Sequence, residues 1–184
     1  MKNLYLIIGP SGSGKTTLER NLAHCFDAKT VRSYTTRPPR RDGDTDHYYV
    51  TDAEFDALGE LVAFTEYNGC RYGVTKDILD KSDFYVIDPA GALSLFERYK
   101  ERRVFPIWIQ TDPIRCAIRM AAQGRAEKDI IQRIETDATA FGWLAFSSLT
   151  QAGHPALIVD GSERKDSVFL AAANFISDME KDPA

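Results

Sequence analysis

Short runs of branched and aromatic residues recur along the chain at residues 4–8, 30–34, 84–88, 104–110 and 156–160. Most of the intervals between them carry apolar residues with a helical period. Strands alternating with helices predict an α/β protein built on a five-stranded, mainly parallel sheet flanked by helices. Several helix ends are also legible. Thr111 or Asp112 can cap a helix whose first position is Pro113, and Gly124 is placed to stop it. A second helix starts near Glu127, with Ile130, Ile134, Phe141 and Leu144 on one face, and a last one covers about residues 166–179. Between Asp46 and Val74 the pattern changes: Tyr48-Tyr49-Val50, a short helix over 52–58, an apolar run over 61–67 and Arg71-Tyr72 predict a small strand-rich insertion on the core sheet.

The 184 residues are 43% hydrophobic and 27% charged, enough for one domain with a sizeable core. A net charge of -4 disfavours a broad nucleic-acid footprint, so an anion must be held locally. The three cysteines, Cys25, Cys70 and Cys116, are widely spaced and suit neither a zinc site nor a disulfide framework, which fits a reducing cytoplasm. No apolar segment is long enough to span a membrane, and the N-terminal run Leu4–Ile8 ends in a glycine-rich turn rather than a cleavage site.

That turn is the strongest chemical signal in the chain. Gly9-Pro10-Ser11-Gly12-Ser13-Gly14-Lys15-Thr16 matches G-x-x-x-x-G-K-[ST] at every fixed position, after an apolar strand and before a helix. Glycines let successive N–H groups face a polyphosphate, Lys15 reaches its outer phosphates, and the Thr16 hydroxyl can ligate Mg2+. The motif makes Gly9, Ser11, Gly12, Ser13, Gly14, Lys15, Thr16 and Thr17 the candidate ATP-binding residues, with Thr16 the metal ligand. A cradle of this kind serves switch GTPases, motors, transporters and small-molecule kinases alike. An N-K-x-D guanine-reading motif is absent, and the short chain with its compact insertion suits a kinase.

After the second expected strand, Ser33-Tyr34-Thr35-Thr36-Arg37-Pro38-Pro39-Arg40 places two guanidinium groups on a proline-stiffened loop, suited to bidentate phosphate contact. Here the sequence resembles the guanylate kinase family, whose S-x-T-T-R-x-P-R pattern matches Ser33, Thr35, Thr36, Arg37, Pro39 and Arg40. Further features follow in order: Asp46 to Val50, the pair Glu54-Phe55, a G-x-x-Y-G turn from Gly69 to Gly73, Asp88 closing a strand with Gly91 after it, and arginines in a later lid. Together they cover most of the chain up to about residue 135.

The resemblance implies a P-loop NTPase core over residues 1–33 and 82–184, an NMP-binding insertion over 34–81 and a lid near 121–133. It also implies in-line transfer from Mg-ATP to GMP or dGMP in a cytoplasmic monomer or homodimer, with no nucleic-acid or membrane partner. Carried over by position, Ser33 and Asp88 contact the base, while Arg37, Arg40, His47 and Tyr72 hold the acceptor phosphate. Lys15, Arg37, Arg125 and Arg133 neutralise the transferring group. Asp88 has a second reading, as an orienter of metal-bound water. The departures lie in the acceptor pocket: Ala63 stands where the family has a guanine-reading glutamate, His47 where it has a tyrosine, and Val74 where it has Ser or Thr. In the lid, Ala121 replaces an arginine, and Arg115 and Arg119 on the preceding helix either supply that charge or form a solvated face. These departures motivate an alternative, a kinase of the same fold acting on another nucleotide or a sugar phosphate. A non-catalytic interaction module is a weaker reading, because such a module has no use for Lys15, Thr16 and lid arginines together.

Overall fold

The computed structural model describes residues 1–39, 42–151 and 155–181. The first third of the chain forms β1 (Leu4–Ile8), α1 (Lys15–Cys25), β2 (Tyr34–Thr35), β3 (Tyr48–Tyr49) and α2 (Asp52–Asp56). There follow β4 (Leu61–Tyr67), β5 (Cys70–Thr75), α3 (Lys76–Asp80), β6 (Phe84–Val86), α4 (Pro89–Arg98) and β7 (Val104–Gln110). The remainder is α5 (Pro113–Ala122), α6 (Glu127–Ala140), α7 (Trp143–Gln151), β8 (Leu157–Asp160) and α8 (Lys165–Lys181).

The core sheet has the order β6-β1-β7-β8, with every pair parallel. All five residues of β1 are buried, as expected of a strand covered on both faces. Tyr5 and Ile7 pack with Leu18 and Leu22 of α1 and with Ala172 and Ile176 of α8. Leu4, Leu6 and Ile8 face the other way, into a cluster holding Leu95 of α4 and Leu149 of α7. Period-two alternation thus feeds two helical layers, and the loop leaving β1 emerges between them.

The expected strand over 30–34 is divided between two sheets. Its first half lies against β6, where Val31 N–H donates to the Phe84 carbonyl and Thr30 forms a single parallel bridge to Phe84. Its second half turns away: Ser33 carbonyl accepts from Tyr48 N–H, and Tyr34–Thr35 become β2 of a second sheet. The core sheet therefore has four full strands and this bridge among the described residues, not five. The helix expected to carry both Phe141 and Leu144 also breaks, with Phe141 capping α6 and Leu144 falling in α7.

The second sheet, of order β3-β2-β5-β4, is the insertion. β4 and β5 form an antiparallel hairpin whose turn residues Asn68 (φ 51°) and Gly69 (φ 68°) are both left-handed, the combination that matches strand twist in a two-residue loop. Before β4, Thr51 and Glu54 form a reciprocal capping box that starts α2.

Pro106 lies inside β7, a position that ordinarily costs a ladder hydrogen bond. The carbonyl of Arg103 accepts from Leu4 on the β1 side and that of Gln110 accepts from Gly161 on the opposite side. Alternation then directs the Pro106 nitrogen away from β1. Its missing N–H therefore falls ahead of Leu157, the first residue of β8 to pair with β7, and the ladder to β1 is intact.

Candidate active site

Residues Gly9, Ser11, Gly12, Ser13 and Gly14 form the turn from β1 into α1, and Lys15, Thr16 and Thr17 make the helix's first turn. Gly12 has φ +78°, and a Cβ there would lie 2.7 Å from the carbonyl oxygen of Cys116, so only glycine lets α5 pack this closely against the loop. The Lys15 ammonium donates to the carbonyls of Gly9 (2.6 Å) and Pro10 (2.8 Å). Arg119 binds the loop from behind, donating to the carbonyls of Gly12, Ser13 and Gly161 at 3.3, 3.2 and 2.7 Å. Arg115 donates to the Ser162 carbonyl. Neither arginine is merely solvated; Arg119 is committed to the back of the cradle by carbonyls that no spacing rule reveals.

In front of the cradle, Lys15, Arg125 and Arg133 line one cavity of about 710 Å³ together with Thr16, Thr17, Glu19, Asp46 and His47. Burial lowers the Arg125 pKa, and the neighbouring charges of Arg133 and Arg37 add to that effect. The Nε atoms of Arg37 and Arg125 are buried and have no hydrogen-bond partner among the described residues. Buried guanidinium N–H groups without partners, crowded by like charge, mark a place that an anion completes. Arg37 is steadied by the Tyr49 hydroxyl, which accepts from its Nη2 at 3.2 Å, and by Asp44 at 3.8 Å. The adjacent arginine of the motif, Arg40, lies outside the described residues.

A second cavity of about 330 Å³ adjoins the first and shares Ser11, Lys15, Ser33, His47 and Arg133 with it. Its walls include Arg37, Ala63, Thr65, Tyr67, Tyr72, Asp88 and Asp137. β4 sends Ala63, Thr65 and Tyr67 toward this space, as alternate residues of a strand must. Ala63 is 1% exposed and presents only a methyl group. Ser33 is buried, and its hydroxyl lies 2.9 Å from Nδ1 of His47. The His47 ring meets the rings of Tyr49 and Tyr72 edge-on.

Asp88 caps α4: its Oδ1 accepts from the N–H groups of Ala90 and Gly91 and from the Thr65 hydroxyl at 3.1 Å. Burial nonetheless raises its pKa, opposed by those hydrogen bonds. Three side chains that sequence reasoning left aside also shape the cavity. Tyr67 donates its hydroxyl to Asp137, Asp137 accepts from the Ser11 N–H at 2.6 Å, and Tyr49 holds Arg37.

On the far flank of the cradle, Thr17, Asn21, Arg119, Gln123, Lys165 and Phe169 line a further cavity of about 300 Å³. The three cysteines are free, and among the described residues no helix is long and apolar enough to cross a membrane.

A glycine-rich turn at the C-terminal end of a parallel strand, faced by a basic cluster and a separate strand-rich insertion, defines a P-loop NTPase fold with two adjoining cavities. Comparison with known proteins narrows the class. No family model matches the sequence. The guanylate kinase of Thermobifida fusca is 42% identical over 83 residues, 41% of this chain and 42% of that protein. The guanylate kinase of Geobacter metallireducens is 36% identical over 110 residues, 53% and 54% of the two chains. The ribose 1,5-bisphosphate phosphokinase PhnN of Thiobacillus denitrificans is 31% identical over 148 residues, 75% of this chain and 77% of that one. The chain thus spans about half or less of the guanylate kinases it matches and three quarters of the bisphosphate kinase. The crystal structure of guanylate kinase from Anaplasma phagocytophilum superposes with a TM-score of 0.62 at 22% identity, over 97% of this chain and 84% of that one, and shares its fold. The protein belongs to the family of the ribose 1,5-bisphosphate phosphokinase that it matches over three quarters of both chains, and it has the guanylate kinase fold.

Proposed function

We propose that the protein is a cytoplasmic phosphotransferase that moves the terminal phosphoryl group of ATP to the phosphate of GMP or dGMP. The observation that carries this reading is the junction of the two cavities. There Lys15, Arg37, Arg125 and Arg133 gather, with two buried guanidinium N–H groups in want of an acceptor. The cradle would hold the donor phosphates, and the cavity beyond Phe169 and Arg119 would receive the donor base. Arg37 and Arg40, with His47 and Tyr72, would grip the acceptor phosphate, leaving Ser33 and Asp88 to face the base. Transfer between two anionic groups requires alignment and neutralisation of developing charge rather than a strong base, and the four cations provide both. Approach of the insertion, residues 34–81, and the lid, about residues 121–133, to the core would exclude water from the junction.

The donor set suits Mg2+. Thr16 is exposed and lines the larger cavity together with Asp46 and Glu19, all hard oxygen donors. Among the described residues no group of three His, Cys, Asp or Glu side chains could hold a metal alone, so Thr16 would share the ion with the nucleotide's own phosphates. When bound, the ion supplies charge neutralisation of those phosphates.

A second reading, transfer to a phosphorylated pentose such as ribose 1,5-bisphosphate, is favoured by one feature of the pocket. With Ala63 in place of a carboxylate and Asp88 Oδ1 already committed to three donors, fewer acceptors remain for a guanine edge. The longest of the alignments described above, to a ribose 1,5-bisphosphate phosphokinase, supports the same alternative. ADP formation from Mg-ATP with GMP, dGMP, AMP, CMP, UMP and ribose 1,5-bisphosphate, beside a Lys15→Ala control, separates the readings. Turnover confined to GMP and dGMP sustains the first; turnover with the bisphosphate alone replaces it with the second.

A further inference from the structure

The Asp137 carboxylate joins two parts of the site, the phosphate cradle and the insertion, where Tyr67 also interacts directly with the Ser11 side chain. Its Oδ2 accepts from the backbone N–H of Ser11, in the phosphate cradle, at 2.6 Å. Its Oδ1 accepts from the hydroxyl of Tyr67, the last residue of β4 in the insertion. Asp137 is 6% exposed, on α6 one turn beyond Arg133, whose Nη1 lies 3.4 Å from the Ser11 hydroxyl. One helix thus presents an anion to the Ser11 amide and a cation to the Ser11 hydroxyl. The same anion is held by a phenol from a different sheet.

We propose that Tyr67 and Asp137 are positioning residues, forming a link through which the insertion sets the conformation of the outer lip of the phosphate cradle. A buried carboxylate that accepts from both partners fixes the Ser11 peptide plane, and the direction of that plane decides where the neighbouring cradle N–H groups point. Because Tyr67 is rooted in the hairpin that also carries Tyr72 and Ala63, a shift of the insertion on taking up an acceptor is transmitted to Asp137 and hence to Ser11. The hydrogen-bonded state of Tyr67 is consistent with this, since burial and the Asp137 carboxylate both raise its pKa. The purpose of the link, concerted readiness of donor and acceptor sites, rests on the kinase reading above; its existence as a restraint on Ser11 does not.

Amide exchange of Ser11, followed by NMR on the ligand-free protein and on Tyr67→Phe, tests the restraint directly. The phenylalanine keeps the ring and removes only the donor. Ser11 is expected to exchange roughly tenfold faster in the variant, with amides of β1 and β7 unchanged. Asp137→Asn is expected to do the same or more. Unchanged Ser11 exchange, or acceleration shared equally by β1 and β7, would overturn the proposal.

Binding of a non-hydrolysable ATP analogue with and without GMP or ribose 1,5-bisphosphate then reads the coupling. Mutual tightening in the wild type should shrink toward none in Tyr67→Phe, over and above any weakening of analogue binding measured without acceptor. Persistence of full tightening in the variant also overturns the link. A wild type that binds no analogue overturns the kinase reading instead, and the exchange result stands on its own.

Discussion

The Thr65 hydroxyl donates to Asp88 Oδ1 at 3.1 Å, joining the middle of the insertion's longest strand to the residue that follows β6 and caps α4. The insertion is thereby tied to the core beside the smaller cavity, and the tie holds the Asp88 carboxylate in place. Thr65→Val keeps the shape and removes the donor. Loss of a hydrogen bond to a charged group, about 1.5–3 kcal/mol, should raise the acceptor KM roughly tenfold or more while the ATP KM changes little. Steady-state kinetics with each substrate varied in turn checks this, and equal effects on both KM values would refute a role confined to the acceptor side.

Lys15→Ala should leave the fold intact and abolish most turnover. The ammonium sits on two loop carbonyls and over the Phe141 ring, 6.0 Å from its centre, contacts at the edge of the core rather than within it, so the melting temperature should fall by only a few degrees. The loss of a preorganised cation at the transferring group should lower kcat by about 10²–10³-fold. Thermal melting and ADP release measured on one preparation separate the two effects.

Arg119→Ala should behave in the opposite sense, destabilising first. Three carbonyls, of Gly12, Ser13 and Gly161, lose their donor together. Chemical denaturation should show a loss of about 2 kcal/mol, and the ATP KM should rise more than the acceptor KM, because the back of the cradle and the donor-base cavity share this side chain. Arg119→Lys should recover only part of both, since an ammonium cannot span the three carbonyls as a planar fork does.

Glu19 predicts a pH dependence of stability. Burial lifts its pKa from 4.5 to about 7; the Arg20 charge opposes the rise, and the Asp46 carboxylate reinforces it. The folded chain therefore holds this proton more tightly than the unfolded chain. Its contribution to stability is complete below pH 4.5 and is lost as pH rises through 7. Glu19→Gln should remove that decline, so that wild type minus variant melting temperature falls between pH 5 and pH 8. A difference that is flat with pH would show Glu19 to be ordinarily ionised.

What could be read from the sequence follows from how each part is encoded. The cradle is contiguous, eight residues between a strand and a helix, and its spacing alone states its chemistry. Asp112 as a cap with Pro113 behind it, and the strand over 61–67, are likewise local and fell where expected. The segment 30–34 is locally strand-like, but its two halves pair with different sheets, a choice made by His47, Tyr48 and Phe84 far away in sequence. Arg119 looked like a solvated or lid-side arginine because the carbonyls that claim it belong to residues 12, 13 and 161. Tyr67 and Asp137 carry no motif at all. The one local hint was Asn68-Gly69, the tight-turn signature that fixes where β4 must end and so places Tyr67 at the hairpin's tip.

The proline within β7 has a bearing on association between molecules. Strand β8 pairs with β7 only from Ile107 onward, so the stretch of β7 ahead of it, buried in the folded protein, would offer a template to a strand of another chain in partly folded states. Pro106 withholds the N–H that such a strand would need at that point. Pro106→Ala would restore a complete template, and its cost would surface as concentration-dependent aggregation during refolding, leaving the native chain's own ladder to β1 undisturbed.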